Sequence, residues 1–230
     1  IVDMTTVLEQ SLNTGAIFAQ ERIGSDRFRD YLKNFGFSEP TGIEISGESR
    51  GDLSSLDKTS QIFAATASYG QGIAVTPIQM LQAWGALANG GLMMKPHVVA
   101  EVRSSDGTAK SVEPAAVRQV VSERTATLIG GMLVSVVENG HGKKAGVAGY
   151  RVAGKTGTAQ IARSDGPGYE ANATIGSFAG YAPVDDPKFV MLVRIDRPQT
   201  TSFAETTAAP VFGEMAAFLL QYFGVPPGRR

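Results

Sequence analysis

The spacing of apolar residues predicts a chain that is mainly helical up to about residue 140. One amphipathic run begins after Ser25 and should end at Gly36. Its apolar side chains recur at intervals of three, one and three residues, as on one helix face: Phe28, Tyr31, Leu32 and Phe35. Further helices are predicted over residues 4–10, 14–20, 58–68, 76–89 and 122–137. Residues 38–57, with several glycines and a proline, are predicted to form a loop.

The helix that begins at residue 76 has the most complete local signal. Thr76 should cap it, Pro77 suits the first turn, and Gln79 stands at the capping-box position. Other residues are predicted to begin or cap helices in the same way: Asp3, Asp57 and Ser122. The first half of the chain is therefore predicted to form a helical subdomain.

The last third of the chain is predicted to form a sheet and one covering helix. Strands are expected near residues 150–160, 174–182 and 188–196, the last two joined by a turn at 183–187. An apolar stripe at helical spacing follows them: Phe212, Met215, Ala216, Leu219, Leu220 and Phe223. The architecture predicted is α+β, an antiparallel sheet with a C-terminal helix on one face and the helical subdomain before it.

Composition excludes several kinds of function. The 230 residues, 43% of them hydrophobic, can bury a sizeable core in one or two domains. A formal net charge of −1 argues against a nucleic-acid-binding surface. The absence of cysteine excludes disulfides and thiol catalysis, and two histidines cannot make a histidine-rich metal site. His97, expected at a strand start, and His141 are interpreted as surface residues, and neither a metal nor a cofactor is predicted.

Residues 149–160 fit two incompatible chemistries. Gly149 to Thr156 matches the G-x-x-x-x-G-K-[ST] phosphate loop of nucleotide hydrolases. Lys155 to Gly157 matches K-T-G, the third signature of penicillin-recognising serine enzymes. A phosphate loop must lead from a buried strand into a helix, whereas polar, glycine-rich residues precede this stretch and extended residues follow it. The phosphate loop therefore remains the less favoured alternative, supported only by an apolar run over 189–196 that ends in Asp.

Other motifs in the chain support the K-T-G interpretation. Ser11-Leu-Asn13 fits the S-x-N second signature, between two predicted helices. Together with residues 68–79 and 147–160, in this order, it closely resembles the transpeptidase domain of class B penicillin-binding proteins, from about residue 3 to the C-terminal helix. The resemblance implies a penicillin-binding protein/β-lactamase-like fold. It also implies peptidoglycan cross-linking by acyl transfer from D-Ala-D-Ala stem peptides, inhibition by β-lactams, and partners among cell-envelope synthesis proteins.

The resemblance also implies roles for six residues. Lys155 would supply positive potential for the substrate carboxylate and for proton movement, Ser11 would relay a proton, and Asn13 would hydrogen-bond the acyl-donor backbone. The remaining three residues would bind substrate: Thr156, Gly157 and Thr158. Taken singly, these side chains are ordinary helix caps, strand formers and a strand-edge lysine, so only the ordered set carries the argument.

One departure from the family pattern concerns the nucleophile. The S-x-x-K motif should precede S-x-N, but the only match is Ser55 to Lys58, which follows it in a polar loop. We interpret 1–230 as the C-terminal portion of a transpeptidase domain, with a mainly helical part over 1–140 and the K-T-G strand, hairpin and last helix over 141–230. The S-x-x-K segment is expected on a missing or separate polypeptide.

Two further expectations follow from this interpretation. The resemblance implies a location outside the cytoplasm, on the periplasmic face of the inner membrane or at the cell surface, with an anchor in an N-terminal region. Strand 188–196 is almost wholly apolar, and family strands that precede S-x-x-K are expected to complete the sheet beside it. A non-catalytic binding or scaffold module remains the alternative function.

Overall fold

The helices occupy the positions that the sequence pattern indicates. The computed structural model describes residues 1–199 and 201–228, except for the side chain of residue 172. The α-helices of this part of the chain are α1 Met4–Glu9, α2 Asn13–Ile23, α3 Ser25–Asn34, α4 Gln61–Ala67, α5 Pro77–Ala88, α6 Glu123–Asn139 and α7 Ala208–Tyr222. Short 3-10 helices cover Ser54–Asp57 and Lys143–Ala145.

The strands form one larger sheet and two small pairs. They are β1 Leu92–Met94, β2 Glu101–Arg103, β3 Ala109–Ser111, β4 Ala116–Gln119, β5 Ala153–Ala162, β6 Tyr169–Ala182 and β7 Phe189–Asp196. The larger sheet is antiparallel in the order β5-β6-β7, while β1 pairs with β4 and β2 with β3. The three predicted strands are therefore confirmed. The four short strands of 92–119 were not predicted, because three or four residues are too few to show an alternating pattern.

Local capping signals predicted most helix starts correctly. The Thr76 side chain accepts from the Gln79 amide and the Gln79 side chain accepts from the Thr76 amide, which completes the capping box. Asp3 caps α1, and Ser122 caps α6. The prediction for Asp57 was wrong, because Ser54–Asp57 already form a 3-10 turn and the chain becomes extended before α4 begins.

We expect Thr76→Ala to lower the free energy of unfolding by about 1 kcal/mol, since the substitution leaves a helix N-terminal amide without its cap. Thr127→Ala is the matched control, because its exposed hydroxyl bonds back to the Glu123 carbonyl within α6 and Ala is the better helix former. Chemical denaturation of both variants measures the difference. Equal stabilities would mean that the capping box contributes nothing.

Gln79 also joins α5 to the loop that follows α3. Its side chain is fully buried, and its amide nitrogen donates to the carbonyl oxygens of Glu39 and Arg50, both at 2.8 Å. A buried amide without partners would be destabilising, so these bonds hold the loop against the helix. The sequence predicted only the capping role of Gln79.

The main core lies between the β5-β6-β7 sheet and α7. Phe178 of β6 and Phe212 of α7 are fully buried, with ring centroids 4.6 Å apart. The opposite face of the sheet packs on α5 and α6, where Tyr181 meets Trp84 edge to face and contacts the cluster around Leu133. The predicted architecture is confirmed: an antiparallel sheet lies between a C-terminal helix and the helical part.

The predicted stripe of α7 is only partly its buried face. Three of its members are fully buried: Phe212, Ala216 and Leu220. Met215 and Phe223, by contrast, are 48% and 49% exposed. Small residues set the orientation of the helix, since a Cβ on Gly213 would lie 2.7 Å from the Lys144 carbonyl oxygen. The buried face of the helix therefore combines large and small residues, and it leaves out Met215 and Phe223.

Candidate active site

The K-T-G residues lie near the start of β5. The chain enters this strand after Gly149, which has a φ of +83°, and continues as strand to Ala162. A phosphate loop holds its anion at the N-terminus of the helix that follows, whereas Lys155 and Thr156 lie inside a strand. The phosphate-loop interpretation of 149–156 is therefore wrong.

The S-x-N residues lie at the junction of α1 and α2. Ser11 occupies the turn with a φ of +51°, and its amide donates to the Leu8 carbonyl at 3.2 Å. Asn13 is the first residue of α2. A Cβ on Gly15 would lie 2.5 Å from the Val7 methyl groups, so glycine lets α2 begin close against α1. Ser11 and Asn13 are both exposed at this junction.

Lys155 connects the two motifs. Its Nζ donates to Ser11 Oγ at 2.8 Å, although 144 residues separate them in sequence. It also donates to the carbonyl oxygen of Thr156 at 3.1 Å and to Thr156 Oγ1 at 3.3 Å. Burial lowers the pKa of Lys155 from 10.5 to about 8. Its amine can therefore act both as a cation and as a proton carrier near neutral pH.

The lowered pKa of Lys155 predicts a change of stability with pH. Between pH 8 and pH 10.5 the unfolded chain still holds a proton that the folded chain has lost, so folding becomes more favourable as the pH rises. We expect the free energy of unfolding of the parent to rise relative to that of Lys155→Met across this window, by at most about 3 kcal/mol. Chemical denaturation at several pH values measures this difference.

Lys188→Met is the control for this titration, because the Lys188 side chain is exposed beside Asp186. It measures how the loss of an exposed lysine charge changes the free energy of unfolding over the same pH range. A stability difference between the parent and Lys155→Met that stays constant with pH would contradict the lowered pKa.

Thr156 and Thr158 lie on the face of the sheet that packs against α7. Thr156 pairs with Phe178, and Thr158 with Gly176, in the β5-β6 register. The alternation of a strand places both threonines on one face, as predicted, and Lys155 on the other. Thr158 Oγ1 accepts from the amide of Ala204 at 3.2 Å, a contact across 46 residues.

Gly157 faces the same side of the sheet as Lys155. A Cβ at this position would lie 2.7 Å from Ser177 Oγ on the neighbouring strand. The resemblance assigned Gly157 to substrate binding. Ser177 gives a structural reason for glycine at this position, because a side chain here would collide with its hydroxyl.

Both histidines are exposed, as predicted, but only one joins distant elements. His97 is not in a strand, contrary to prediction, and its ring nitrogen contacts the Val99 carbonyl two residues away. His141 Nδ1 lies 2.6 Å from Glu205 Oε2, in the segment before α7. Neither Ala204 nor Glu205 was a candidate from the sequence, because no local motif marks them.

The described residues offer neither a metal site nor a membrane helix. Within 1–199 and 201–228, no group of three or more His, Asp or Glu side chains could hold a metal ion. None of the helices in these ranges is both long enough and apolar enough to span a bilayer.

Comparison with known proteins identifies the family. A family model described as the penicillin binding protein transpeptidase domain matches residues 1–217. Stage V sporulation protein D of Bacillus subtilis is 42% identical over 96% of this chain and 34% of its own length. Peptidoglycan D,D-transpeptidase FtsI of Escherichia coli is 30% identical over 97% of this chain and 36% of its own length.

Solved structures agree with these relatives. Penicillin binding protein 3 of Mycobacterium tuberculosis, complexed with ampicillin, has a TM-score of 0.92 and 33% identity over 99% of this chain and 52% of that chain. Its complex with aztreonam has a TM-score of 0.91 at the same identity. The chain spans about a third of the length of the curated relatives named above. The family match, the identities and the shared α+β fold show that this chain belongs to the penicillin-binding protein transpeptidase domains.

Proposed function

We propose that this chain is part of a serine D,D-transpeptidase that cross-links peptidoglycan and is acylated by β-lactams. The observation that carries the proposal is the 2.8 Å hydrogen bond from Lys155 Nζ to Ser11 Oγ, which brings the K-T-G and S-x-N motifs into one site. The names of the relatives support the reaction, since one is a peptidoglycan D,D-transpeptidase. The complexes of penicillin binding protein 3 with ampicillin and aztreonam support β-lactam recognition.

In the proposed reaction, a serine oxygen attacks the carbonyl carbon of the penultimate D-Ala of a stem peptide. A C–O bond forms, the C–N bond to the terminal D-Ala breaks, and the serine proton passes to the leaving amine. Ser11 lies within hydrogen-bonding distance of Lys155 and can relay this proton. An amine of a neighbouring stem then attacks the acyl-enzyme and restores the serine. Asn13, beside Ser11 at the start of α2, would hold the acyl-donor backbone.

Recognition of the substrate carboxylate is assigned to Lys155 and the two threonines. With a pKa of about 8, the Lys155 amine is mostly cationic at neutral pH and attracts an anion. Thr158 Oγ1 already accepts from the Ala204 amide, which leaves its own proton free to donate to the carboxylate. Thr156 Oγ1 accepts from Lys155 in the same way. The Thr158 amide would be one oxyanion donor, and such a donor is typically worth about 3 kcal/mol. Gly157 would let the substrate approach the strand.

The nucleophile is proposed to come from an S-x-x-K segment, on a linked or a separate polypeptide. The only S-x-x-K match in this sequence begins at Ser55, whose Oγ is buried in a 3-10 helix and unable to attack a substrate. Strand β7 supports a neighbouring segment, because within the described residues it pairs only with β6. We place the reaction outside the cytoplasm, where peptidoglycan is cross-linked, with cell-envelope synthesis proteins as partners.

Fluorescent penicillin tests the proposal on the protein that contains this chain and an S-x-x-K segment. Mass spectrometry of the treated protein should find one covalent adduct, on a serine outside residues 1–230. Ser55→Ala is the matched control and should be labelled like the parent. An adduct on Ser11 or Ser55 would contradict the assigned roles. Reversible binding without any adduct would favour the non-catalytic binding or scaffold module.

A further inference from the structure

The segment before α7 lies directly against Thr158. The Ala204 amide donates to Thr158 Oγ1 at 3.2 Å, and Ala204 is only 1% exposed. The partner of Thr158 on β6 is Gly176, where a Cβ would lie 2.8 Å from Thr207 Oγ1. The bare glycine therefore lets residues 204–207 rest on the sheet. The position of this segment sets the direction in which the Thr158 hydroxyl points.

Glu205, next to Ala204, ties this segment to another part of the molecule. Its Oε2 lies 2.6 Å from Nδ1 of His141, in the connection between α6 and β5. Both side chains are nearly half exposed, 43% for Glu205 and 46% for His141. The pair lies at the surface, so it adds little to global stability, but it fixes one residue of a segment whose neighbour orients Thr158.

His141 is itself held by the helix that leads into Ser11. Its amide donates to the Glu9 carbonyl oxygen at 3.0 Å. The approach is close, since a Cβ on Gly140 would lie 2.4 Å from the same oxygen. The backbone of His141 is thus bonded to the end of α1, just before Ser11. Its side chain contacts Glu205, next to the residue that bonds Thr158.

We propose that His141 and Glu205 are positioning residues that hold segment 204–207 on Thr158 and so set the affinity of the site for its carboxylate ligand. The inference rests on the proposed function, but it concerns residues outside the S-x-N and K-T-G motifs. No hydrogen bond joins the pair to Lys155 or to the Ser11 hydroxyl. It acts on recognition, before the bond-making step.

Single-turnover acylation by fluorescent penicillin separates the two effects in the protein that contains this chain and an S-x-x-K segment. His141→Ala and Glu205→Ala should each raise the dissociation constant of the pre-covalent complex by up to about fivefold, the size expected for an exposed pair. The acylation rate constant should change less than twofold. The double variant should resemble either single variant, because both remove the same contact.

Two variants complete the comparison. Glu205→Gln should keep the parental dissociation constant, since the amide oxygen can accept a hydrogen bond from His141. Glu214→Ala, an exposed carboxylate on α7, should have no effect. Unchanged dissociation constants in both single variants, multiplied effects in the double variant, or a loss confined to the acylation rate constant would overturn the inference.

Hydrogen exchange separates the inference from the proposed function. The amides of residues 203–205 should exchange faster in His141→Ala than in the parent, whether or not the protein reacts with penicillin. A parent that is never acylated would contradict the proposed function. The exchange rates would then test only whether His141 and Glu205 hold segment 204–207 on Thr158. Unchanged exchange at these amides would overturn the inference.

Discussion

Lys155→Ala should lower the rate of β-lactam acylation by about a hundredfold or more, in the protein that contains this chain and an S-x-x-K segment. The substitution removes both the cation that attracts the ligand carboxylate and the donor to Ser11 Oγ. General acid–base contributions alone are typically 10²–10⁴-fold. Stopped-flow or gel-based labelling with fluorescent penicillin measures the rate.

The stability of Lys155→Ala distinguishes this effect from unfolding. Burial penalises the charged amine, as the lowered pKa of Lys155 indicates, so its removal should not lower the free energy of unfolding by more than about 1 kcal/mol at pH 7. Lys188→Ala is the control, because Lys188 is exposed just before β7, and it should be acylated like the parent. Equal acylation rates in Lys155→Ala and the parent would show that Lys155 has no role in acylation.

Phe212→Ala should lower the free energy of unfolding by about 3–5 kcal/mol, the range for removing a fully buried aromatic side chain. Phe212 is 0% exposed and packs on Phe178, in the core between the sheet and α7. Chemical denaturation measures the loss.

Phe218→Ala is the matched control, because this side chain on the same helix is 64% exposed. It should cost less than about 1 kcal/mol. If the two substitutions were equally destabilising, the orientation assigned to α7 would be incorrect.

Features that depend on neighbouring residues could be predicted from the sequence. The capping box of Thr76 and Gln79 joins groups three residues apart, so its residues mark the helix start directly. The strands of the larger sheet gave long extended runs, and their positions were predicted to within a few residues at most ends. The motif residues Ser11 and Lys155 could be selected because their order along the chain resembles that of the family.

The short strands and the buried face of α7 could not be predicted in the same way. The four strands of 92–119 are too short to show a period, and each pairs with a partner that is just as short. The stripe on α7 correctly indicated a buried face but assigned Met215 to it. The buried face also includes Gly213, whose close approach to the Lys144 carbonyl depends on a distant backbone.

The properties of the site also depend on contacts between distant residues. The hydrogen bond from Lys155 to Ser11 spans 144 residues, and that from Ala204 to Thr158 spans 46. Burial by surrounding elements lowers the pKa of Lys155, and no residue beside it in sequence indicates this. Local hydrogen bonds and periodicity involve residues that are close in sequence. They therefore predicted the helices, the strands and the candidate side chains. Distances, burial and hydroxyl orientation arise only when separate elements pack together, so the folded chain alone sets them.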